Sequence, residues 1–260
     1  WLFTETAPQR IDFLLNNRNW AFDIHPQYTV ALLAAVRRAP IPDEPIVAAG
    51  VASSAREFAV QITGPGIRIA RTALGPNREI PLLPSQAHAD LLAKLREGIP
   101  FPYGTGRWRC FPVREFDETH DRRLWEGAEE GWPLWKGESF DIFDPHGTEA
   151  RVCPSTQEAM RKALKPRPGA GSLLAGEIHP QKRREAVVRA VGRARVAFRD
   201  VTNRTNSRTV IACLVPPCHF LTNKAPYLAF IEDDWRAEAA CLALMNSIPF
   251  DWQARRVVET

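Results

Sequence analysis

The segment Ala194–Pro217 has the sequence ARVAFRDVTNRTNSRTVIACLVPP, and its pattern decides the fold class. Two strand patterns, 195–200 and 208–215, flank a polar loop that runs from Val201 to Ser207. The second strand is apolar on both faces from Thr209 to Val215, which predicts a place in the middle of a sheet. We therefore expect two rigid strands that hold a short polar loop at a fixed height.

Helical patterns surround this pair of strands. The sequence predicts a basic helix at 181–191 and two closing helices at 234–247 and 251–258. Ser155 and Glu158 form a capping-box pattern, which predicts a further short helix. Strands and helices do not alternate regularly along the chain, so the predicted fold class is α+β, a mixed sheet with flanking helices.

The N-terminal part of the chain has strand patterns of its own. Alternation of apolar and polar residues predicts a hairpin over 18–37, in which Trp20 belongs to the first strand and His25-Pro26 forms the turn. Two further short strands are expected within 56–72. We therefore expect a small β-rich piece at this end of the chain.

A stretch rich in Pro and Gly, 75–84, predicts a linker. After it, Ser85 is expected to cap a helix that runs to about Glu97. The chain has 260 residues and 45% hydrophobic content, which is enough to bury a sizeable core. The interpretation is therefore two domains, 1–75 and 76–260.

Charge divides the chain into a basic block and an acidic block. Residues 151–208 hold 14 Lys and Arg against 4 Asp and Glu, a net charge of +10. Residues 114–149 hold 4 basic against 11 acidic side chains, a net charge of −7. Clustered Arg and Lys predict binding to a polyanion such as nucleic acid. The alternative is a solvated helix face with salt bridges to the acidic block.

Several kinds of chemistry have no pattern in this sequence. The five cysteines are odd in number and none has the spacing of a zinc knuckle, so we expect buried thiols in a reducing cytoplasm. There is no P-loop and no nucleophile elbow. Asp141, Asp144 and Glu149 are more typical of a solvated acidic turn than of a metal-dependent nuclease. We therefore assign no catalytic, cofactor-binding or metal-binding residue.

The hydropathy pattern and the N-terminal residues indicate where in the cell the chain is located. No uninterrupted apolar run approaches the roughly 20 residues that cross a bilayer. No charged-then-apolar leader follows Trp1. We therefore expect a soluble, cytoplasmic segment of a longer polypeptide, without a membrane partner.

Two segments carry the most specific patterns in the chain. Trp132–Asp141 has the sequence WPLWKGESFD, and Phe198–Thr209 has FRDVTNRTNSRT, followed by LVPP at 214–217. In this order they resemble the C-terminal region of large adenine-specific N6 DNA methyltransferases, a family that includes restriction–modification and phage-defence enzymes. Leu244–Ser247 with Phe250–Trp252 is similar to the closing helices of that family.

The N-terminal part fits the same resemblance. Trp20–Leu33 resembles the final antiparallel strands of the family's methyltransferase domain, and 80–84 resembles the entry to its target-recognition domain. The resemblance implies that 1–75 is a small β-rich remnant of a methyltransferase domain and that 76–260 is a DNA target-recognition domain. It also implies two partners, double-stranded DNA and an upstream methyltransferase domain of the same polypeptide.

The resemblance does not extend to the family's catalytic motifs. The sequence lacks the Phe-x-Gly-x-Gly loop for the methyl donor and the Asn/Asp-Pro-Pro-Tyr/Phe site for a flipped adenine. Pro216-Pro217 is preceded by Val215 and followed by Cys218, so it is not that site. S-adenosylmethionine and catalysis are therefore expected only in the parent enzyme, and whether this chain is itself an enzyme stays open.

The function that remains for this chain is sequence-specific DNA recognition. Arg, Lys, Asn and Thr side chains contact phosphates and base edges, and the loop 199–208 is rich in them. An alternative for the loop is that Arg199 pairs with Asp200 while the Asn residues build turns. An alternative for the whole chain is a protein–protein specificity or scaffolding module that docks an acidic partner. The expected DNA contacts are Lys136, Arg183, Arg184, Arg199, Asn203, Arg204, Asn206 and Arg208.

Overall fold

A computed structural model describes residues 5–24, 29–41, 44–74, 79–97, 106–145, 151–165, 178–202 and 206–257. The chain divides into two compact units, Trp1–Pro100 with Arg255–Thr260 and Phe101–Ala254. Both units combine small sheets with helices in irregular order, which confirms the predicted α+β class. No helix in these ranges is long and apolar enough to cross a membrane.

The first unit is built on a four-stranded mixed sheet. Its elements are β1 (Ala7–Leu15), β2 (Thr29–Val36), β3 (Ile46–Ala52), α1 (Ala55–Thr63), β4 (Ile67–Ile69) and α2 (Gln86–Arg96). The strand order is β2-β1-β3-β4; β1 pairs antiparallel with β2 and parallel with β3, and β3 pairs antiparallel with β4. The apolar side chains of Ile11, Leu14, Ile46 and Ile69 are buried in this unit.

The predicted hairpin is present, but its first strand lies upstream of the predicted one. β2 confirms the second strand, whereas β1 ends before Trp20. The cause is the buried Asn16, whose side-chain oxygen accepts the N–H groups of Ala21 and Phe22 at 3.1 Å each. An Asn side chain bonded to the backbone after it stabilises a turn and stops a strand. The predicted turn at His25-Pro26 lies outside the described residues.

The segment 56–72 contains one of its two predicted strands, β4, and the other prediction is wrong because helix α1 lies there. The Ser54 hydroxyl oxygen accepts the N–H of Glu57 at 3.3 Å, and the Glu57 carboxylate accepts the N–H of Ser53 at 2.7 Å. This reciprocal capping stabilises a helix start and outweighs the alternating apolar pattern.

The two compact units divide at residue 100, whereas the interpretation of the sequence divides the chain at residue 75. Helix α2 begins after Ser85, as predicted, and it packs against β4 and the 3-10 turn Arg71–Ala73. Arg96 adds to this contact by donating a hydrogen bond to the carbonyl oxygen of Ala73. The helix after the predicted linker therefore belongs to the first unit, because its packing partners are there.

The second unit contains two small sheets and four helices in its described part. Its elements are β5 (Cys110–Val113), β6 (Trp132–Trp135), β7 (Arg151–Cys153), α3 (Gln157–Ala163), α4 (Pro180–Val191), β8 (Arg195–Phe198), β9 (Ala212–Val215), β10 (Phe220–Leu221), β11 (Tyr227–Phe230), α5 (Trp235–Met245) and α6 (Ile248–Val257). The larger sheet is antiparallel, with the order β5-β11-β8-β9. The smaller one has the order β10-β6-β7, and β10 is parallel to β6.

Helices cover both faces of the larger sheet. Val196 and Ala212 pack with Leu242 of α5, whereas Ala197 packs in the cluster that contains Val187 of α4. This cover on both sides explains why β9 is apolar on both faces. The predicted position of β9 in the middle of the sheet is wrong, because β8 is its only strand neighbour within the described ranges.

The predicted helices of the second unit are present. α4, α5 and α6 lie where the sequence places them. The short helix α3 begins one residue later than expected, since the cap is Thr156 and not Ser155. The Thr156 hydroxyl oxygen accepts the N–H of Ala159 at 3.2 Å, which is the bond that an N-cap residue provides.

Candidate nucleic-acid interface

Three strands of the second unit end side by side, and the residues that follow them form one surface. Lys136 and Gly137 follow β6, Arg199 and Asp200 follow β8, and Lys224 lies in the turn after β10. The N–H of Asp200 donates to the carbonyl oxygen of Lys224 at 3.1 Å. We define the strand-end surface as Arg114, Lys136, Gly137, Arg199, Asp200 and Lys224.

Gly137 of the first motif segment lies against the turn that contains Lys224 and beside Arg199 of the second motif segment. A Cβ atom at this position would lie 2.8 Å from the carbonyl oxygen of Lys224 and 3.4 Å from Cγ of Arg199. Because 2.8 Å is shorter than van der Waals contact, any larger residue would push Gly137 and the turn that contains Lys224 apart. Gly137, which follows Lys136, is therefore needed for packing, whereas a simple turn would not require a glycine here.

Arg199 ties the second motif segment to the first. Its Nη2 donates to the carbonyl oxygen of Phe140 at 2.6 Å, and its backbone N–H donates to the carbonyl oxygen of Ile211 at 3.0 Å. The side chain is half-buried, so it braces the turn after β6. The alternative ion pair with Asp200 is not formed, since Asp200 pairs with Arg114 at 2.8 Å.

Three cations with exposed or half-exposed side chains surround this contact. Lys136 Nζ lies 2.7 Å from the Glu138 carboxylate, and this hydrogen bond holds the pKa of Glu138 below its ordinary value. Lys224 is exposed and forms no ion pair with the described residues. Arg114 pairs with Asp200 on the surface, where such pairs are weak and exchange readily. The sequence does not single out Arg114 or Lys224, because strand pairing brings them here from distant positions.

The loop residues predicted to read bases differ in their surroundings. Asn203 and Arg204 lie outside the described residues. Asn206 is exposed. Arg208 is half-buried, and its Nη2 donates to the carbonyl oxygen of Asn246 at 2.5 Å. The guanidinium of Arg208 therefore binds the corner between α5 and α6.

The two candidates for phosphate contact on the basic helix, Arg183 and Arg184, lie near the start of α4. Arg183 is half-buried, and its Nε donates to the carbonyl oxygen of Ile178 at 2.9 Å. Arg184 and its neighbour Lys182 are exposed and form no ion pair within the described part of the chain. The hydrogen bonds of the strand-end surface do not include α4, so this helix carries a separate group of cations.

The acidic residues weighed for a nuclease form a turn. Asp141 and Asp144 exchange backbone N–H···O hydrogen bonds of 3.0 Å each, and both residues are exposed. No group of three or more metal-binding side chains occurs among the described residues, and Glu149 lies outside them.

The cysteines are free thiols, and two of them are fully buried. Burial raises the pKa of Cys153 to about 11 and that of Cys213 to about 12, so neither is a ready thiolate. Cys218 is exposed, which corrects the expectation that all of them are buried.

Comparison of the chain with protein-family models, with curated proteins and with solved structures found no match. The resemblance noted in the sequence therefore stays a prediction. What can be said of function depends on the residues and the geometry described above.

Proposed function

We propose that this chain is the DNA target-recognition segment of an S-adenosylmethionine-dependent adenine-N6 DNA methyltransferase, and that it contacts double-stranded DNA through the strand-end surface. The observation that carries the proposal is the hydrogen bond that joins the two motif segments, from Arg199 Nη2 to the carbonyl oxygen of Phe140 at 2.6 Å. The resemblance concerns the order of these segments along the chain, and this bond joins them beside the exposed cations Arg114 and Lys224.

The strand-end surface has the rigidity and the side chains that DNA contact requires. Arg114, Lys136 and Lys224 offer charged ends for phosphates, which fix the position of a protein on a duplex. Shorter polar side chains can read base edges. Among the described residues of the loop, the exposed Asn206 is the candidate for this role. Asn203 and Arg204 remain predicted DNA contacts. Arg183 and Arg184 remain predicted phosphate contacts in the same duplex.

The first unit supports the presence of a partner domain. β2 is an edge strand, and most of its apolar side chains are exposed, including Leu33 and Val36. An exposed apolar edge strand is a template for pairing with another strand. We assign this edge to a methyltransferase domain of the same polypeptide, whose closing strands would be residues 1–75.

S-adenosylmethionine binding and methyl transfer are assigned to that partner domain. This chain lacks both motifs that would bind the methyl donor or a flipped adenine, so no residue here is given either role. We therefore expect titration calorimetry of the 260-residue chain to detect no S-adenosylmethionine binding. Binding at micromolar concentration would contradict this assignment.

A salt-titrated binding assay with double-stranded DNA tests the proposal. Phosphate contacts release counterions, so the logarithm of the affinity should fall linearly with the logarithm of the salt concentration. Replacing Lys136 or Lys224 by Ala should weaken binding to all sequences and reduce the slope by about one in each case. Arg123→Ala is the matched control, because Arg123 is exposed, lies in the acidic block and pairs with Glu158.

The rival function, a module that docks an acidic protein, gives a different result. The exposed Lys182 and Arg184 of α4 would serve such a partner equally well. That function predicts no DNA affinity at low salt, or an affinity that the Lys136 and Lys224 variants leave unchanged. Either outcome would remove the strand-end surface as a DNA-binding site.

A further inference from the structure

The corner between α5 and α6 holds the chain that leads out of the polar loop into β9. We define the corner clamp as the side chains of Asn246 and Asp251 together with the carbonyl oxygen of Asn246. Both residues are buried although they are polar, so their hydrogen bonds decide whether this burial is favourable.

Asp251 binds two consecutive backbone groups. Its Oδ1 accepts the N–H of Thr209 and the N–H of Val210, each at 2.7 Å. These residues directly precede β9. A carboxylate that accepts two backbone N–H groups fixes the direction of the chain at that point.

Asn246 binds the first residue of β9 through both ends of its amide. Its Oδ1 accepts the N–H of Ala212 at 3.3 Å, and its Nδ2 donates to the carbonyl oxygen of Ala212 at 2.9 Å. This pair of bonds is the one that a neighbouring strand would make. The Ala212 carbonyl oxygen also accepts the N–H of Phe143 at 3.2 Å, so Asn246 and Phe143 together bind this edge of the sheet.

Arg208 completes the arrangement from the loop side. Its Nη2 donates to the carbonyl oxygens of Asn246 at 2.5 Å and Ser247 at 3.4 Å, and its Nε lies 3.4 Å from Oδ1 of Asp251. A side chain expected to read bases is thus engaged within the protein.

The arm of the loop that leaves β8 is held by main-chain bonds, since Arg199 N–H donates to Ile211 and Asp200 N–H donates to Lys224. On the returning arm, main-chain bonds reach Ile211 and Ala212, whereas the N–H groups of Thr209 and Val210 are bonded to the Asp251 side chain. A substitution of Asp251 therefore removes the bonds to Thr209 and Val210 while the main-chain bonds at Ile211 and Ala212 remain.

We infer that Asn246 and Asp251 are positioning residues that set the place of residues 206–210 against DNA, and that Arg208 binds this clamp instead of reading a base. This inference rests on the proposed function. It implies that a change at the corner alters DNA binding although the clamp side chains themselves do not touch the duplex.

The test compares Asp251→Ala, Asp251→Asn and Asn246→Ala in the 260-residue chain, with a mixed-sequence DNA duplex as the probe. Asp251→Ala should speed hydrogen exchange at the amides of Thr209 and Val210 and lower DNA affinity by about tenfold. Asp251→Asn should restore the slow hydrogen exchange and the DNA affinity, because the Asn oxygen can accept the same two N–H groups. The control is Asp234→Ala, which removes an acid that accepts the N–H groups of Arg236 and Ala237 at the other end of α5.

The outcomes separate the inference from the proposed function. If the unchanged protein binds DNA and folded Asp251→Ala and Asn246→Ala bind it equally well, the inference is overturned while the function stands. If the unchanged protein does not bind the duplex at any salt concentration, the function fails and the inference fails with it. If Asp251→Ala does not fold, the DNA affinity of Asn246→Ala tests the inference, since that variant leaves the Asp251 bonds in place.

Discussion

The buried ion pair of Glu115 and Arg195 shows how single residues hold the second unit together. Arg195 Nη2 lies 2.7 Å from one Glu115 oxygen, and the other accepts the N–H of Leu221 at 2.7 Å. The guanidinium also lies 4.8 Å from the centre of the Tyr227 ring. Burial raises the pKa of Glu115, and the charge of Arg195 opposes that rise. The pair therefore joins the end of β5 to β8, β10 and β11.

Replacing one partner of this pair should cost much more stability than replacing both. Glu115→Leu leaves a buried guanidinium without its counter-ion, which should lower the free energy of unfolding by about 3–5 kcal/mol. Glu115→Leu with Arg195→Met should recover most of that loss, because neither charge is then buried. Urea unfolding of the single and double variants measures this, and equal losses in both would contradict the prediction.

Asp117 gives a prediction about acid stability. One of its oxygens accepts the N–H groups of Thr119 and His120 at 2.9 Å each. The bond from the His120 backbone is the main reason why the pKa of Asp117 falls from 3.8 to about 2. A depressed pKa in the folded state contributes stability that is present above the ordinary pKa and is lost as pH falls through about 2.

The variant Asp117→Asn should therefore lose stability less steeply between pH 4 and pH 2 than the unchanged protein, measured by urea unfolding at several pH values. Arg122→Ala is a suitable control, because its exposed pair with Glu126 should contribute little. An unchanged pH profile in Asp117→Asn would show that the turn does not depend on this carboxylate.

At the scale of elements, the contact at Gly137 can be tested directly. Gly137→Ala should lower the free energy of unfolding by about 1–3 kcal/mol, since the new methyl group overlaps the Lys224 carbonyl. It should also weaken DNA binding, because it displaces the turn that contains Lys224 from Lys136. Gly192→Ala is the matched control: its Cβ would lie 3.5 Å from the nearest atom, an ordinary contact. Equal effects of both variants would show that the close approach at Gly137 is unimportant.

The sequence predicts helices of this protein better than strand neighbours. Helices α4, α5 and α6 follow from periodicity, which is a local property of the chain. The position of β9 at the sheet edge does not follow from periodicity, because Asn246 after α5 and the backbone of Phe143 bind Ala212 at that edge, and both are distant in sequence. Helix α1 was missed because the caps at Ser54 and Glu57 outweigh an alternating pattern.

At the scale of the whole molecule, the candidate site was only partly predictable. Lys136 and Arg199 lie in segments with specific patterns, and the structure brings them together. Arg114 and Lys224 join them only through tertiary contacts, such as the pairing of Arg114 with Asp200 across 86 positions of the chain. The role of Arg208 was also hidden, since its partners on the α5–α6 corner lie 38 and 39 positions away. Local sequence patterns contain no information about such distant partners.

Lysine footprinting of the 260-residue chain, with and without a DNA duplex, tests whether the strand-end surface binds DNA. An acylating reagent modifies exposed amines, and mass spectrometry reports the extent of modification at each lysine. If the strand-end surface binds DNA, the duplex should protect Lys136 and Lys224, whereas Lys94, exposed on α2 of the first unit, should react as before. If Lys136 and Lys224 are acylated as fast in the presence of bound DNA as in its absence, the strand-end surface does not bind DNA.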